Sequence, residues 1–237
     1  MLFRSSGTES GEFAATGVSI DTRTLEPGDL FVALAGARDG HELISQAMAR
    51  GAAGALVSQD VDAPFVKVTG DVLVALEKLG VAARDRATSA LRGAVTGSVG
   101  KTSVTQAIMA GLKLAGPAHS SVKSYNNHIG VPLTLARMPR ETQRAVFEIG
   151  MNHAGEIEPL TKMVRPDVAV VTAIEPVHME NFSSLEAVAE AKAEIFLGLA
   201  DGDGTAVING DSPYFPLLAR RAQACGAKRI QIGRAHV

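Results

Sequence analysis

From Leu91 onward, short apolar runs alternate with amphipathic stretches, a pattern that predicts strands separated by helices. The runs near 92–96, 144–149, 167–174 and 204–209 read as strands, and Arg229 to Ile232 as a last one. A helix is expected from about residue 101, another from Leu185 to about Leu199, and a third from Tyr214 to Gln223. Strands spaced by helices of this length imply a mainly parallel sheet with helices on both faces. Residues 14 to 90 have a different texture. Gly17 to Ile20 and Leu30 to Leu34 read as short strands, with Pro27-Gly28-Asp29 as a turn before the second. Leu43, Ile44, Ala47 and Met48 recur at helical spacing, as do Val72, Leu76, Leu79 and Ala83. The fold class expected is α/β: a small N-terminal α/β domain over residues 1–90, and a second domain over 91–237 whose parallel sheet reads as incomplete.

Composition narrows the function classes. The 237 residues carry 23 Lys and Arg against 25 Asp and Glu, so no large basic face for nucleic acid is indicated. The single cysteine, Cys225, excludes an internal disulfide framework and a multi-cysteine zinc site, and it fits a reducing compartment. The longest apolar run, Val168 to Val171, is too short to span a bilayer, and the polar start shows no signal peptide. A cytoplasmic protein without membrane insertion is expected.

Gly97-Ser98-Val99-Gly100-Lys101-Thr102 lies after an expected strand and before an expected helix. Backbone N–H groups of such a turn form an anion cradle with the helix N-terminus; the lysine reaches outer phosphates and the threonine hydroxyl suits magnesium. The usual spacing asks for a glycine at position 95, where valine stands, so the match to the full phosphate-loop pattern is incomplete. On the helix from Leu185, Val188, Ala189, Ile195, Phe196 and Leu199 fall on one arc at about 100° per residue. Lys192 falls in its middle. Such a lysine either bends its ammonium to the surface or is paired or chemically modified. Glu148 ends an apparent buried strand, where α/β sheets bind ligands and where a carboxylate could hold magnesium. His178 follows the strand ending near Ala173 at the same edge, and Asn209 ends another strand in an Asn-Gly turn. Cys225 reads as a small packed hydrophobe.

Together these residues resemble the Mur ligase family of peptidoglycan synthesis. The phosphate loop TGSVGKTS is similar to that family's, in which the missing glycine is normal. YNNHIGVPLTL (Tyr125 to Leu135), FEIGMNHAGEI (Phe147 to Ile157) and EAKAEIF (Glu190 to Phe196) resemble the branch that joins D-alanyl-D-alanine to UDP-MurNAc-tripeptide. DTRTLEPGDLFVAL (Asp21 to Leu34) and Asp39-Gly40-His41 resemble the domain that holds the UDP-sugar. The resemblance implies an ATP-dependent acid–amino-acid ligase that works through an acyl phosphate. Gly97, Ser98, Val99, Gly100, Lys101, Thr102 and Ser103 would wrap the ATP phosphates, and Asn209 would lie near the adenine. Thr102, Glu148 and His178 would serve Mg2+, joined by Lys192 as a carbamate; Lys101, Lys192 and His178 would be catalytic. Asp21, Thr22 and Arg23 would face the uridine side, and Asn126 and Asn127 the substrate.

Val99 and Ser183 depart from residues usual in the family, and a C-terminal domain is absent from the expected layout. The resemblance implies a monomer at full length, with UDP-MurNAc-tripeptide and D-alanyl-D-alanine as partners. Whether the tripeptide ends in diaminopimelate or lysine stays open. Another Mur ligase, a folylpolyglutamate synthase-like ligase and a nucleotide-binding fragment without catalysis are the alternatives.

Overall fold

A computed structural model of the protein describes residues 7–36, 38–122, 124–177, 179–199 and 203–233. The chain divides into two compact units, Met1–Gly80 and Val81–Val237.

The first unit contains β1 (Gly7–Ser10), β2 (Gly17–Ser19), β3 (Asp29–Val32), α1 (Ile44–Ala49), β4 (Gly54–Val57), β5 (Phe65–Val68) and the start of α2 (Val72–Arg86). Its sheet runs β1-β5-β4-β3-β2; β1 is antiparallel to β5, and the other neighbours are parallel. Phe31, Ala33, Ile44, Ala47, Ala55 and Val57 form its core. Leu43 and Ile44 do not share one α-helix, because Gly40–Leu43 forms a 3-10 turn before α1. Gly40 is buried there, and a Cβ would press on the Ala33 backbone at 2.8 Å.

The two compact units divide within α2. The physical reason is local: Arg84 donates to the Met163 carbonyl at 2.6 Å, and Ala87 and Ala90 join the core of the second unit.

The second unit alternates strictly. It runs β6 (Leu91–Thr96), α3 (Lys101–Leu114), β7 (Ala118–Ser120), α4 (Gly130–Ala136), β8 (Arg144–Glu148), α5 (Ile157–Val164), β9 (Val168–Val171), α6 (Leu185–Ala193), β10 (Thr205–Asn209), α7 (Phe215–Ala224) and β11 (Arg229–Gly233). The sheet order is β11-β10-β9-β6-β8-β7, with every pair parallel. From β6 the chain crosses outward over α3 to β7, whereas from β8 it crosses back past β6 to β9. Right-handed crossovers put helices of opposite direction on opposite faces. The two directions meet around β6, so a crevice opens at the carboxyl ends of β6, β8 and β9. Phe147, Ile149, Val171, Phe196 and Ile208 fill the core beneath it. In β9, Ala169 and Val171 are buried while Val168 and Val170 are partly covered, so the run is apolar on both faces although one face is only half-buried.

The helix expected to run unbroken from Leu185 to Leu199 changes type. Glu194–Gly198 is a 3-10 helix. Thr161 Oγ1 donates to the Ile195 carbonyl at 2.8 Å, and Gly198 lies against the Thr161 backbone, a contact that a Cβ would overlap. Among the described residues no helix is long and apolar enough to cross a membrane.

Candidate active site

The loop between β6 and α3 is shaped by two glycines and one threonine. Gly97 has φ 152° and Gly100 φ 83°, conformations that residues with a Cβ rarely adopt. A Cβ at Gly97 would overlap Thr172 Oγ1. That hydroxyl donates to the Val99 carbonyl at 2.6 Å, fixing the loop to the segment after β9. Ser98 adds a second tie. Its N–H donates to the Ala173 carbonyl at 2.8 Å, and its hydroxyl donates to the Glu175 carbonyl at 3.0 Å while accepting from the Glu175 N–H at 2.9 Å. Val99 is half exposed at the tip and Ser103 is exposed in the first turn of α3. Lys101 Nζ folds over the loop and donates to the carbonyls of Gly97 at 2.8 Å and Ser98 at 3.2 Å. Its pKa is lowered by burial, which the nearby Glu148 carboxylate partly opposes.

Thr102 and Glu148 come together. Thr102 Oγ1 donates to Glu148 Oε2 at 2.8 Å, and Asn126 Nδ2 donates to Glu148 Oε1 at 2.7 Å. Ser124 Oγ lies 3.2 Å from Thr102 Oγ1. Gly150 N donates to the Asn126 carbonyl at 2.8 Å, and a Cβ on Gly150 would crowd the Asn126 amide at 2.9 Å. Asn127 does a different job: its Oδ1 accepts from Gly130 N at 2.9 Å, capping the start of α4.

Lys192 is buried, at 2% exposure, rather than extended along the surface. Burial pushes its ammonium down to about 8, helped by repulsion from Lys101. Lys101 thus interacts with both other charged groups of this edge, attracted by Glu148 and repelled by Lys192.

Among the described residues no three His, Cys, Asp or Glu side chains gather as a metal site. The hydroxyl of Thr102 and the carboxylate of Glu148 are instead hard oxygen donors side by side. That is a set suited to Mg2+, which is held by one or two carboxylates with substrate phosphates supplying the rest. His178 lies outside the described residues. Asn209 ends β10, which is separated from β6 by β9, and its Oδ1 accepts from Asp211 N at 3.0 Å.

In the first unit, Asp21 accepts from Arg23 through both carboxylate oxygens, at 2.9 Å from Nε and 2.7 Å from Nη2, and Arg23 is exposed. Thr22 is buried and donates to Gln46 Oε1 at 3.0 Å. His41 Nε2 accepts from Ser58 N at 3.0 Å, so its proton sits on Nδ1, 2.6 Å from Asp39 Oδ1.

Sequence reasoning overlooked Thr172, Glu175, Ser124 and Glu194. The first three act through short polar contacts with no periodic signal. Glu194 accepts from Gly155 N at 2.7 Å and from Ile157 N and Glu158 N at 3.2 Å, and it lies two residues past Lys192 in a stretch already singled out.

Residues 95–236 match the Mur ligase middle domain, and residues 14–94 match the Mur ligase family, catalytic domain. The chain is similar to UDP-N-acetylmuramoyl-tripeptide–D-alanyl-D-alanine ligase of Bacillus subtilis (strain 168), with 40% identity over 222 residues, covering 92% of this chain and 47% of that protein. It is similar in structure to MurF from Acinetobacter baumannii, with TM-score 0.80 and 31% identity over 93% of this chain and 47% of that one. MurF ligase from Thermotoga maritima in complex with ADP gives TM-score 0.73 and 26% identity over 92% and 49%. The chain spans about half the length of the curated relatives it matches.

Proposed function

This chain belongs to the Mur ligase family, and from that premise we propose that it is the nucleotide- and UDP-sugar-binding part of an ATP-dependent ligase joining D-alanyl-D-alanine to UDP-MurNAc-tripeptide. The observation that carries the reading is the cluster at one sheet edge: the loop bearing Gly97 and Gly100, the Lys101 ammonium, and Thr102 bonded to buried Glu148.

In the proposed reaction the ATP γ-phosphoryl group passes to the terminal carboxylate of the tripeptide, giving an acyl phosphate and ADP. The amine of D-alanyl-D-alanine attacks the acyl carbon, and phosphate leaves as the amide forms. Loop N–H groups from Gly97 to Ser103 orient the phosphates at the start of α3. Lys101, now folded on its own loop carbonyls, swings to the outer phosphates and stabilises the charge that spreads there. Mg2+, when bound, neutralises phosphate charge; Thr102, Glu148 and His178 would hold it, with Lys192 as a carbamate. The lowered pKa of Lys192 raises the share of neutral amine, which adds to carbon dioxide and releases a proton. Incubation with 13C-bicarbonate should give a carbamate resonance that Lys192→Arg removes; its absence would discard that assignment. Asp21, Thr22 and Arg23 serve the uridine end, Asn126 and Asn127 the peptide, and Asn209 the adenine. The reaction takes place in the cytoplasm, in a full-length monomer.

A thermal-shift panel on this chain tests the reading. A ligand that binds only the folded state adds about 2.7 kcal/mol at a hundredfold excess over its Kd. UDP-MurNAc-tripeptide and Mg-ATP should each raise the midpoint. Stabilisation by UDP-MurNAc-dipeptide or a folate in preference to the tripeptide would reassign the substrate. Stabilisation by Mg-ATP alone would leave a nucleotide-binding module.

A further inference from the structure

A cavity of about 280 Å³ opens beside the Thr102–Glu148 pair and runs along α3, on the side away from the phosphate loop's ties to Thr172 and Glu175. Thr102, Gln106, Met109 and Lys113 line it from one stripe of the helix, and Ser120 and Glu148 face them from the sheet edge. Residues 102, 106, 109 and 113 share a face because steps of three, four and seven residues return to it on a helix.

The charges in this cavity are arranged along its length. Glu148 stands at the inner end, with both oxygens already accepting from Thr102 and Asn126. Lys113 is the one cation among the described lining residues, three helical turns farther on. Eleven residues at 1.5 Å each put it about 16 Å from Thr102 along the axis. Helical side chains lean toward the N-terminus, so its ammonium reaches back several ångströms toward the reaction end. Between the two ends lie Met109 and the amide and hydroxyl of Gln106 and Ser120.

We propose that this cavity receives the side chain of the tripeptide's third residue, and that Lys113 selects diaminopimelate over lysine. The inference rests on the proposed function: the reacting carboxylate must meet the ATP γ-phosphate, which that reading holds at the loop ending in Thr102, next to Glu148 and Asn126. The side chains of the two residues share the same carbons and the same terminal amine. Diaminopimelate differs by one carboxylate on the carbon bearing that amine. Six single bonds of about 1.5 Å separate the reacting carboxyl carbon from that distal one, an extended reach of roughly 7 Å. That length bridges most of the gap between the inner end and the leaning ammonium. The distal carboxylate meets Lys113, while a lysine side chain brings only an ammonium to another ammonium. Met109 packs on the methylenes, and Gln106 and Ser120 take the terminal amine.

The test is titration calorimetry of this chain with two UDP-MurNAc-tripeptides, one ending in diaminopimelate and one in lysine. A solvent-accessible charge pair supports a ratio of about fivefold in favour of diaminopimelate. Lys113→Glu should reverse the ratio, and Lys113→Arg should keep it. Two tripeptides bound equally, or a ratio that Lys113→Glu leaves as it was, would overturn the inference and leave the proposed function standing. Failure of both tripeptides to bind, with Mg-ATP still bound, would overturn both.

Discussion

Thr102 Oγ1 and Glu148 Oε2, 46 residues apart in sequence, meet at 2.8 Å and join the first turn of α3 to the end of β8. Asn126 Nδ2 donates to the other carboxylate oxygen, so a carboxylate at 2% exposure is held by two neutral donors, Thr102 and Asn126. Glu148→Gln removes the charge and keeps the shape. Titration calorimetry should show at least a tenfold loss of Mg-ATP affinity, with Mg-free ATP nearly unaffected. Wild-type Mg-ATP affinity in the variant would remove Glu148 from the metal set.

Gly97 and Gly100 differ in what surrounds them, and their alanine variants should differ too. A Cβ at Gly97 overlaps Thr172 Oγ1 and comes within 3.1 Å of Ala173 N, whereas one at Gly100 meets nothing nearer than 3.9 Å. Gly100→Ala then costs only its left-handed backbone, about 1–2 kcal/mol. Gly97→Ala adds a clash that breaks the tie from Thr172 to Val99. Urea melts should rank Gly97→Ala as clearly the less stable, and Mg-ATP should fail to raise its melting point. Equal costs would mean the loop yields at that contact.

Legibility in the sequence followed the range of the interactions. The phosphate loop showed itself because glycine spacing, a strand and a helix are all local. Lys192 showed itself because one cation on an apolar arc is a periodic anomaly, and its burial agrees with that reading. By contrast, α4 was missed: Gly130 to Ala136 are all buried, so no polar face marks a period, and Pro132 suggests a break although it falls in the tolerated first turn. Strand β4 was missed for a similar reason, being four residues long and buried throughout. In α5 the buried set Ile157, Leu160, Thr161 and Val164 does have helical spacing, but it sits in a segment read as a motif. The pairing of Ser98 with Glu175 joins distant residues and left no trace in the pattern.

Lys192 should make stability depend on pH in a defined direction. Its folded pKa of about 8 lies below the ordinary 10.5. Below about pH 8 both states carry the proton and the burial cost is felt in full. Between about 8 and 10.5 the unfolded chain binds more protons than the folded one, so stability rises with pH. Lys192→Met removes the cost. In bicarbonate-free, metal-free buffer it should exceed the parent's stability at pH 7 by up to about 3 kcal/mol. The gap should close toward pH 10. Urea melts at pH 7 and 9.5 would refute this if the gap stayed constant.

Glu194 holds the start of α5 from outside that helix. Its carboxylate accepts from Gly155 N, Ile157 N and Glu158 N, amides that the helix itself cannot satisfy. Ile157 is fully buried, so water cannot easily replace the carboxylate there. A negative charge also suits the positive end of a helix. Glu194→Ala leaves these donors without their acceptor, a loss of about 2–3 kcal/mol for hydrogen bonds to a charged group. Glu194→Gln keeps an oxygen and should lose about half as much. Because the contact is local, hydrogen exchange should quicken at Gly155, Ile157 and Glu158 before it does in the strands. Unchanged exchange at those three amides in Glu194→Ala would show that α5 starts without this carboxylate.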